Sequence, residues 1–290
     1  MIDLHMHTLY SDGSVLPDVL VQLGLDHNLE AIAITDHDTT ESLVSAKKAA
    51  AEKSSPERSI DIIPGIEINT YLEEQEVHVL GYYIDPDAEA LKKVIKKHHQ
   101  SRIDQIEGFV DTFKKKFKIN FSFEDVMKHS NGIGTIGRPH VAKALIEKKV
   151  VSTMSEAFKK YLKVNCPTYV PRQTVLPHDA VEAIYDSGGI AVIAHPGEMK
   201  GFETLVTELI HYGLRGLEAY HKSHSPALVE YHCCLAEKLG LLVTGGTDFH
   251  GDAEAYPKVL EKLCLPEKTY AILKEEKERL ALSKVAIKSF

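Results

Sequence analysis

The sequence predicts an α/β fold, either a barrel or a mainly parallel sheet, that carries a helical insertion. The first hundred residues alternate between strand-like and helix-like patterns, and the same alternation resumes after Pro177. Between these two parts the chain is rich in lysine, glutamate and other helix formers and poor in strand signals. The length of 290 residues suits one α/β barrel or two smaller domains.

The elements of the first part, residues 1–99, follow from apolar runs and helix signals. Alternation of faces predicts a strand over residues 2–7, and Pro17 suits the first turn of a helix over residues 17–27. Short apolar runs and a helical period predict the rest: strands over residues 31–35, 61–69 and 77–83, and a helix over residues 40–52.

Residues 100–170 are predicted to form the helical insertion. The helix-rich stretch begins near Asp87, and its lysine runs, KKVIKKHH at residues 92–99 and DTFKKKFK at residues 111–118, are typical of solvated helix faces, although they could also attract a polyanion. Residues 171–290 are predicted to complete the α/β part of the fold. Their elements are a helix over 178–187, strands over 190–194, 216–220 and 241–245, and a closing charged helix over 267–282.

Composition excludes several classes of protein. No apolar run approaches the roughly 20 residues that a membrane span needs, and no secretory signal precedes the first strand. The four cysteines form no C-x-x-C pair, which favours reduced thiols and a cytoplasmic location. A net charge of −8 argues against nonspecific nucleic-acid binding through a basic surface.

Histidines and carboxylates recur at or just beyond the predicted strands, where α/β proteins build active sites. A lone histidine or glutamate at such a position is more often structural, but nine at one level are costly unless they are paired or bind metal. His5 and His7 lie two positions apart and therefore share one strand face. The nine candidate metal ligands are His5, His7, Asp12, His37, Glu67, His78, His195, Asp248 and His250. Such ligands without thiolates suit manganese, iron or zinc.

The same residues carry a resemblance to a known family. The segments DLHMHTLYSDG, TDHD, GIE, VHVLGY, AHP and GTDFHG, in this order, resemble the polymerase and histidinol phosphatase (PHP) family. The resemblance implies a distorted (β/α)7 barrel whose two or three divalent metal ions, with manganese favoured, serve phosphoester hydrolysis. It assigns His5, His7, Glu67 and Asp248 to one ion, Glu67, His78 and His195 to a second, and Asp12, His37 and His250 to a third.

A metal-activated hydroxide is the expected nucleophile, with Asp248, Glu67 and His195 assigned to catalysis. Within the family, the segments GRPHVAKAL, EAFKKYL and PTYVPR resemble the subgroup of 3′,5′-nucleoside bisphosphate phosphatases and RNase AM (TrpH-like) enzymes. In that subgroup the insertion covers the active site, and no polymerase is fused to the chain. The resemblance implies that Arg138, His140 and Arg172 bind the phosphate that is not cleaved.

Two further residues, Lys222 and His224, follow a predicted strand. They are expected to reach the substrate at the same end of the barrel as the candidate metal ligands, although they could equally lie in a solvated loop. Arg138 could instead be a surface residue at a helix start. The expected substrate is a small phosphorylated nucleotide or a short oligonucleotide. The leading hypothesis for the function is removal of the 3′ phosphate from a 3′,5′-nucleoside bisphosphate. The alternative is 5′→3′ exonuclease activity on short oligoribonucleotides at the same site. Histidinol phosphate hydrolysis and a non-catalytic metal- or nucleotide-binding module are weaker hypotheses.

Overall fold

The computed structural model describes residues 1–72, 75–130, 134–172 and 174–287. Seven strands form one sheet: β1 (Ile2–Met6), β2 (Ala31–Ile34), β3 (Asp61–Leu72), β4 (Gln75–Tyr82), β5 (Ile190–Ile193), β6 (Leu214–His221) and β7 (Leu242–Gly246). The helices of the first half are α1 (Pro17–Asp26), α2 (Ser42–Lys53), α3 (Glu89–Phe117), α4 (Phe123–Met127), α5 (Arg138–Glu147) and α6 (Met154–Ala157). A π-helical turn, Phe158–Leu162, continues α6. The remaining helices are α7 (Pro177–Asp186), α8 (Phe202–Ile210), α9 (Pro226–Leu239), α10 (Tyr256–Leu263) and α11 (Thr269–Ile287).

The sheet follows the chain order from β1 to β7 and nearly closes into a barrel. At the closing edge the N–H of His7 donates to the carbonyl of Phe249 at 2.8 Å. The pairs β1–β2, β2–β3, β5–β6 and β6–β7 are parallel, whereas β3–β4 and β4–β5 are antiparallel. The predicted distorted barrel is confirmed. Part of its distortion is strand β4, which runs antiparallel to both of its neighbours. Only two residues separate β3 from β4, too few for the crossover that a parallel pair requires.

Three apolar clusters hold the molecule together. One packs Leu4, Tyr82 and other strand residues against Leu273 and Leu280 of α11. A second packs the opposite strand faces against the surrounding helices. The third belongs to the helical region itself, where Phe109, Phe113 and other side chains from Ile106 to Leu162 are buried together. The sheet and the helical region are therefore stabilised by separate cores.

Helix α3 starts at Glu89 and runs without a break to Phe117, so it spans the boundary predicted at residue 100. Its first turns pack Leu91 and Val94 into the barrel cluster, whereas Ile106 and later residues belong to the core of the helical region. The division into residues 1–99, 100–170 and 171–290 stays a prediction. Within the described residues, no helix has the length and apolar character needed to cross a membrane.

Candidate active site

The fold brings the nine candidate ligands to one mouth of the barrel. His5 and Glu67 lie within strands β1 and β3, and His78 lies in β4. The other six lie in the segments that follow strands: His7, Asp12, His37, His195, Asp248 and His250. Every one of the nine lies within 4 Å of another member of the set. Residues up to 245 positions apart in sequence thus share one polar centre.

Glu67 stands at the middle of this centre, with its two carboxylate oxygens turned to different partners. Oε1 lies 2.8 Å from His78 Nδ1 and 3.0 Å from His195 Nε2. Oε2 lies 3.2 Å from the Nε2 atoms of both His5 and His7. The side chain is fully buried. A carboxylate that offers one oxygen to each of two imidazole groups has the arrangement of a ligand that bridges two metal ions.

Asp12, His37 and His250 form the side of the centre farthest from His195. Asp12 Oδ1 lies 3.2 Å from His250 Nε2, and Asp12 Oδ2 lies 3.8 Å from His37 Nε2. The other ring nitrogen of His37, Nδ1, lies 3.1 Å from Glu67 Oε2. His7 Nδ1 also approaches this group, at 3.8 Å from Asp12 Oδ1. His37 therefore joins the group around Asp12 to the central carboxylate.

Asp248 lies beside His250, with its Oδ1 at 3.4 Å from His250 Nδ1, and contacts one of the predicted substrate-binding residues. Its Oδ1 lies 3.3 Å from His7 Nε2 and 3.6 Å from His5 Nε2. Its Oδ2 lies 3.1 Å from Lys222 Nζ, which also donates to the Asp248 carbonyl at 2.6 Å. His221, which the sequence did not single out, lies 3.4 Å from the same Oδ2. A cleft of about 510 Å³, lined in part by Lys222, Asp248 and His250, opens beside them.

The donor set fits divalent metal ions. The Nε2 atoms of the buried His5 and His7 face each other at 3.0 Å, with Glu67 Oε2 at 3.2 Å from both. Among the described residues, the donor atoms form four overlapping groups of three or four. Within each group the atoms lie within 4.8 Å of one another and include imidazole nitrogen and carboxylate oxygen. So many lone pairs in a buried space are costly unless cations are shared among them. Imidazole with carboxylate suits manganese, iron and zinc.

Glu218 supports this centre and is a functional residue that the sequence reasoning missed. Its carboxylate lies 3.0 Å from His5 Nδ1 and accepts the backbone N–H of His195 at 2.7 Å. Burial raises the pKa of Glu218, but the neighbouring His5 outweighs this effect and the net pKa is lowered. A carboxylate behind an imidazole fixes the ring so that the opposite nitrogen faces the metal. The signal was an acid within the apolar strand segment GLEAY, as in GIEIN.

Asp36 plays a comparable part for the loop that carries Asp12. It accepts the N–H and the hydroxyl of Thr8, both at 2.7 Å, and the hydroxyl of Ser11 at 2.6 Å. The side chain is buried. These bonds fix the turn after β1 against the end of β2, and thereby place Asp12 opposite His37.

Arg138 approaches the centre from the helical region. It is the first residue of α5, as predicted, and its Nη2 lies 3.6 Å from Glu76 Oε1. Glu76 in turn lies 3.3 Å from His78 Nε2. Burial raises the pKa of Glu76, but His78 and Arg138 more than reverse this and lower it to about 2. Residues 131–133, which precede this helix in the chain, lie outside the described residues.

Arg172 and the unpredicted Arg102 meet at Asp38. Arg102 Nε donates to Asp38 Oδ2 at 3.0 Å, and Arg172 Nη1 lies 3.5 Å from the same oxygen. Burial raises the pKa of Asp38, but the two arginines and His98 reverse this and hold it well below its ordinary value. Burial lowers the pKa of Arg172 to about 10, so the guanidinium remains charged at neutral pH. Two cations therefore share one buried carboxylate beside His37.

The remaining two candidates, His140 and His224, contact the backbone. His140 Nδ1 accepts the N–H of Gly137 at 3.1 Å, and burial lowers the pKa of His140 to about 4. His224 Nδ1 lies 2.8 Å from the carbonyl of Ala219, and its Nε2 accepts the N–H of Gly197 at 3.2 Å. Both rings are thus occupied in holding loops at the mouth. Their predicted contacts with substrate stay a prediction.

Comparisons with known proteins agree with this arrangement. The family model described as "PHP domain" matches residues 3–167. The chain is 33% identical over 253 residues to the 5′-3′ exoribonuclease Rnm of Salmonella typhimurium, covering 86% of this chain and 84% of that protein. It is 31% identical over 274 residues to the 3′,5′-nucleoside bisphosphate phosphatase of Chromobacterium violaceum, covering 91% and 94%.

A solved structure shares the fold over nearly the whole chain. This protein of Bifidobacterium adolescentis, described as a metal-dependent phosphoesterase, is 30% identical to the chain and superimposes with a TM-score of 0.78. The match covers 91% of this chain and 95% of that one. The barrel and the helical region therefore belong to one known fold.

Proposed function

The chain belongs to the PHP domain family and is a metal-dependent phosphoester hydrolase; from this premise we propose that it removes the 3′ phosphate from 3′,5′-nucleoside bisphosphates such as pAp. The observation that carries the proposal is the presence of two arginines beside the polar centre: Arg138 contacts Glu76, which faces His78, and Arg172 contacts Asp38, which follows His37. Guanidinium groups bind phosphate through paired hydrogen bonds. A substrate with two phosphates can place one at the metal ions and the other at the arginines.

We assign the metal ligands in three groups around Glu67. The first ion takes His5, His7, Asp248 and Glu67, the second takes Glu67, His78 and His195, and the third takes Asp12, His37 and His250. The division of the Glu67 carboxylate between two sets of imidazoles supports the first two groups. Manganese is favoured, and iron and zinc accept the same donors. Bound divalent ions neutralise charge on phosphoryl oxygens and lower the pKa of an attacking water.

The protein's own residues then orient the reacting groups. Lys222 holds Asp248 through contacts to its carboxylate and its carbonyl, so Asp248 is placed to accept a proton from the attacking water. Glu218 fixes both the ring of His5 and the backbone of His195. Arg138 and Arg172 hold the 5′ phosphate, which sets the distance from that phosphate to the scissile one.

A second candidate is 5′→3′ exonuclease activity on short RNA, favoured by the 33% identity to Rnm of Salmonella typhimurium. The first nucleotide of 5′-phosphorylated RNA offers the same pair of groups as pAp, a free 5′ phosphate and a 3′ phosphoester. In both substrates the bond that breaks joins phosphorus to the 3′ oxygen, and water supplies the new oxygen on phosphorus. One site can therefore serve both reactions.

Histidinol phosphate is the weaker substrate, because it offers a single phosphate and a cationic amine. One phosphate at the metal ions would leave Arg138 and Arg172 without a phosphate to bind, and the amine would face like charge. The complete set of nine candidate metal ligands argues against a non-catalytic metal- or nucleotide-binding module.

The test compares kcat/KM on pAp, on a 5′-phosphorylated trinucleotide and on histidinol phosphate, with manganese present. We expect pAp to be turned over most efficiently. Arg138→Ala should lower kcat/KM on pAp by about 10- to 100-fold, the effect of removing a hydrogen bond to a charged group. Arg279→Ala, which removes a half-exposed arginine of α11, is the matched control and should leave kcat/KM unchanged. Much higher efficiency on the trinucleotide would establish the second candidate instead, and an intact Arg138→Ala enzyme would refute the role of the arginines.

A further inference from the structure

Arg102 of α3 makes a contact that joins the helical region to the polar centre. Its Nε and Nη2 both donate to Asp38 Oδ2, at 3.0 and 2.5 Å. Its Nη1 donates to the carbonyl of Ile136 at 3.2 Å. The side chain is only 11% exposed. One guanidinium thus links the segment after β2 to the segment immediately before α5.

Asp38 lies between the candidate metal ligands and these cations. Its backbone N–H donates to the carbonyl of Glu67 at 2.9 Å, and the residue directly follows His37. Its carboxylate accepts the backbone N–H and the side-chain amide of Asn69, both at 2.9 Å. The same amide lies 3.2 Å from His37 Nδ1. Asp38 is therefore fixed to the barrel on one side and holds Arg102 on the other.

Arg102 also limits the contact that Arg172 makes with Asp38. Arg102 occupies Asp38 Oδ2 with two nitrogens, whereas Arg172 reaches that oxygen at 3.5 Å through Nη1 alone. A guanidinium has five N–H donors, and the contact with Asp38 uses a single nitrogen of Arg172. Without Arg102, Asp38 would be free to pair with Arg172 in the two-pronged geometry that these groups prefer. Arg172 would then be withdrawn from any anion in the site.

The described residues that lead to Arg138 are held by two hydrogen bonds to segments that follow barrel strands and by one bond to Arg102 of α3. The N–H of Thr135 donates to the carbonyl of Tyr10 at 2.7 Å, and the Thr135 hydroxyl lies 3.2 Å from the carbonyl of His37. The third is the bond from Arg102 to the carbonyl of Ile136, two residues before Arg138. Arg102 therefore sets the position of the N-terminus of α5.

From these contacts we propose that Arg102 is a positioning residue, which holds Arg138 and Arg172 in place for the phosphate that is not cleaved. The proposal rests on the proposed function, because it takes the arginines to bind a second phosphate. Arg102 does not itself touch the reacting atoms. It acts by tying down the segment before Arg138 and by occupying the carboxylate that would otherwise capture Arg172.

Gly137 offers an independent way to disturb Arg102 without removing its charge. A Cβ added at Gly137 would stand 2.8 Å from Arg102 Nη1, the movable end of that side chain. The backbone at Gly137 is extended, with φ of −168°, so alanine itself is accommodated there. Gly137→Ala should therefore push Arg102 off the Ile136 carbonyl while leaving the guanidinium in the protein.

The experiment measures kcat and KM on pAp and on adenosine 3′-phosphate, which lacks the 5′ phosphate. Arg102→Ala should raise KM for pAp by about 10- to 100-fold, with kcat on pAp and both constants on adenosine 3′-phosphate changed by less than about threefold. Gly137→Ala should shift KM for pAp in the same direction by a smaller factor. The double variant should be no worse than Arg102→Ala, because both changes act through one side chain. Lys93→Ala, an exposed lysine of α3, is the charge-matched control and should behave as the wild type.

Melting temperature and metal content of each variant separate positioning from general damage. Equal losses on both substrates, or additive losses in the double variant, would overturn the proposal. So would an unchanged KM for pAp in Arg102→Ala. The wild type tests the proposed function separately. If the wild type does not prefer pAp over adenosine 3′-phosphate, it does not recognise a second phosphate. The proposed function is then refuted, whatever the variants do. If it does prefer pAp and the variants keep that preference, only the role of Arg102 is refuted.

Discussion

Replacing Glu218 by glutamine should weaken metal binding while leaving the fold intact. Glu218 is fully buried and contacts no candidate ligand oxygen; it faces His5 Nδ1 at 3.0 Å and the N–H of His195 at 2.7 Å. Glutamine has nearly the same shape and keeps a carbonyl oxygen for the His195 N–H. It removes the negative charge behind His5, so the imidazole becomes a weaker donor to a metal ion.

The size of the effect follows from the one charged contact that is lost. A buried hydrogen bond to a charged group contributes about 1.5–3 kcal/mol. Changes behind metal-bound histidines typically weaken metal binding or activity by about 10- to 100-fold. These two figures agree, since each tenfold corresponds to about 1.4 kcal/mol. We therefore expect the Glu218→Gln protein to bind manganese about 10- to 100-fold more weakly at the ion that His5 contacts.

The assay is a competition for manganese between the protein and a chelator of known affinity, with metal content measured after dialysis. Phosphoesterase activity should recover as manganese is raised, because the reacting groups themselves are unchanged. Glu208→Gln, on an exposed face of α8, is the matched control for loss of one acid. Manganese affinity equal to that of the wild type, in a variant with a normal melting temperature, would refute the reasoning about Glu218.

Two further predictions concern the metal ions and the helical region. Removal of metal with a chelator should abolish hydrolysis and lower the melting temperature. Returning manganese to 100 times its Kd should restore about 2.7 kcal/mol of the free energy of unfolding for each site. An unchanged melting temperature would contradict the assignment of the buried ligands to metal. Phe109→Ala should cost about 3–5 kcal/mol in the free energy of unfolding measured with urea, because Phe109 is fully buried beside Phe113 in the core of the helical region. A loss below 1 kcal/mol would show that this core collapses around the gap.

Much of the barrel could be predicted from local patterns. Strands at residues 2–6, 31–34 and 190–193 follow directly from short apolar runs, and Pro17 marks the start of α1. The antiparallel entry of β4 was not predicted from periodicity, because alternation of side chains has the same period in parallel and antiparallel strands. Helix α3 begins at Glu89, so the lysine run at residues 92–99 is helical as predicted, but helix propensity alone does not assign this helix to the barrel or to the insertion.

The amino-acid sequence was enough to identify the family, the barrel and the nine candidate metal ligands, because residue types and their positions after strands can be read from the chain. Which atoms face each other emerges only in the folded protein: Glu67 divides its oxygens between two sets of imidazoles, Glu218 lies behind His5, and Arg102 contacts Asp38. These contacts join residues from 11 to 213 positions apart. No local pattern encodes such pairs, because they exist only after the strands have been brought side by side and Arg102 of α3 has met Asp38 after β2.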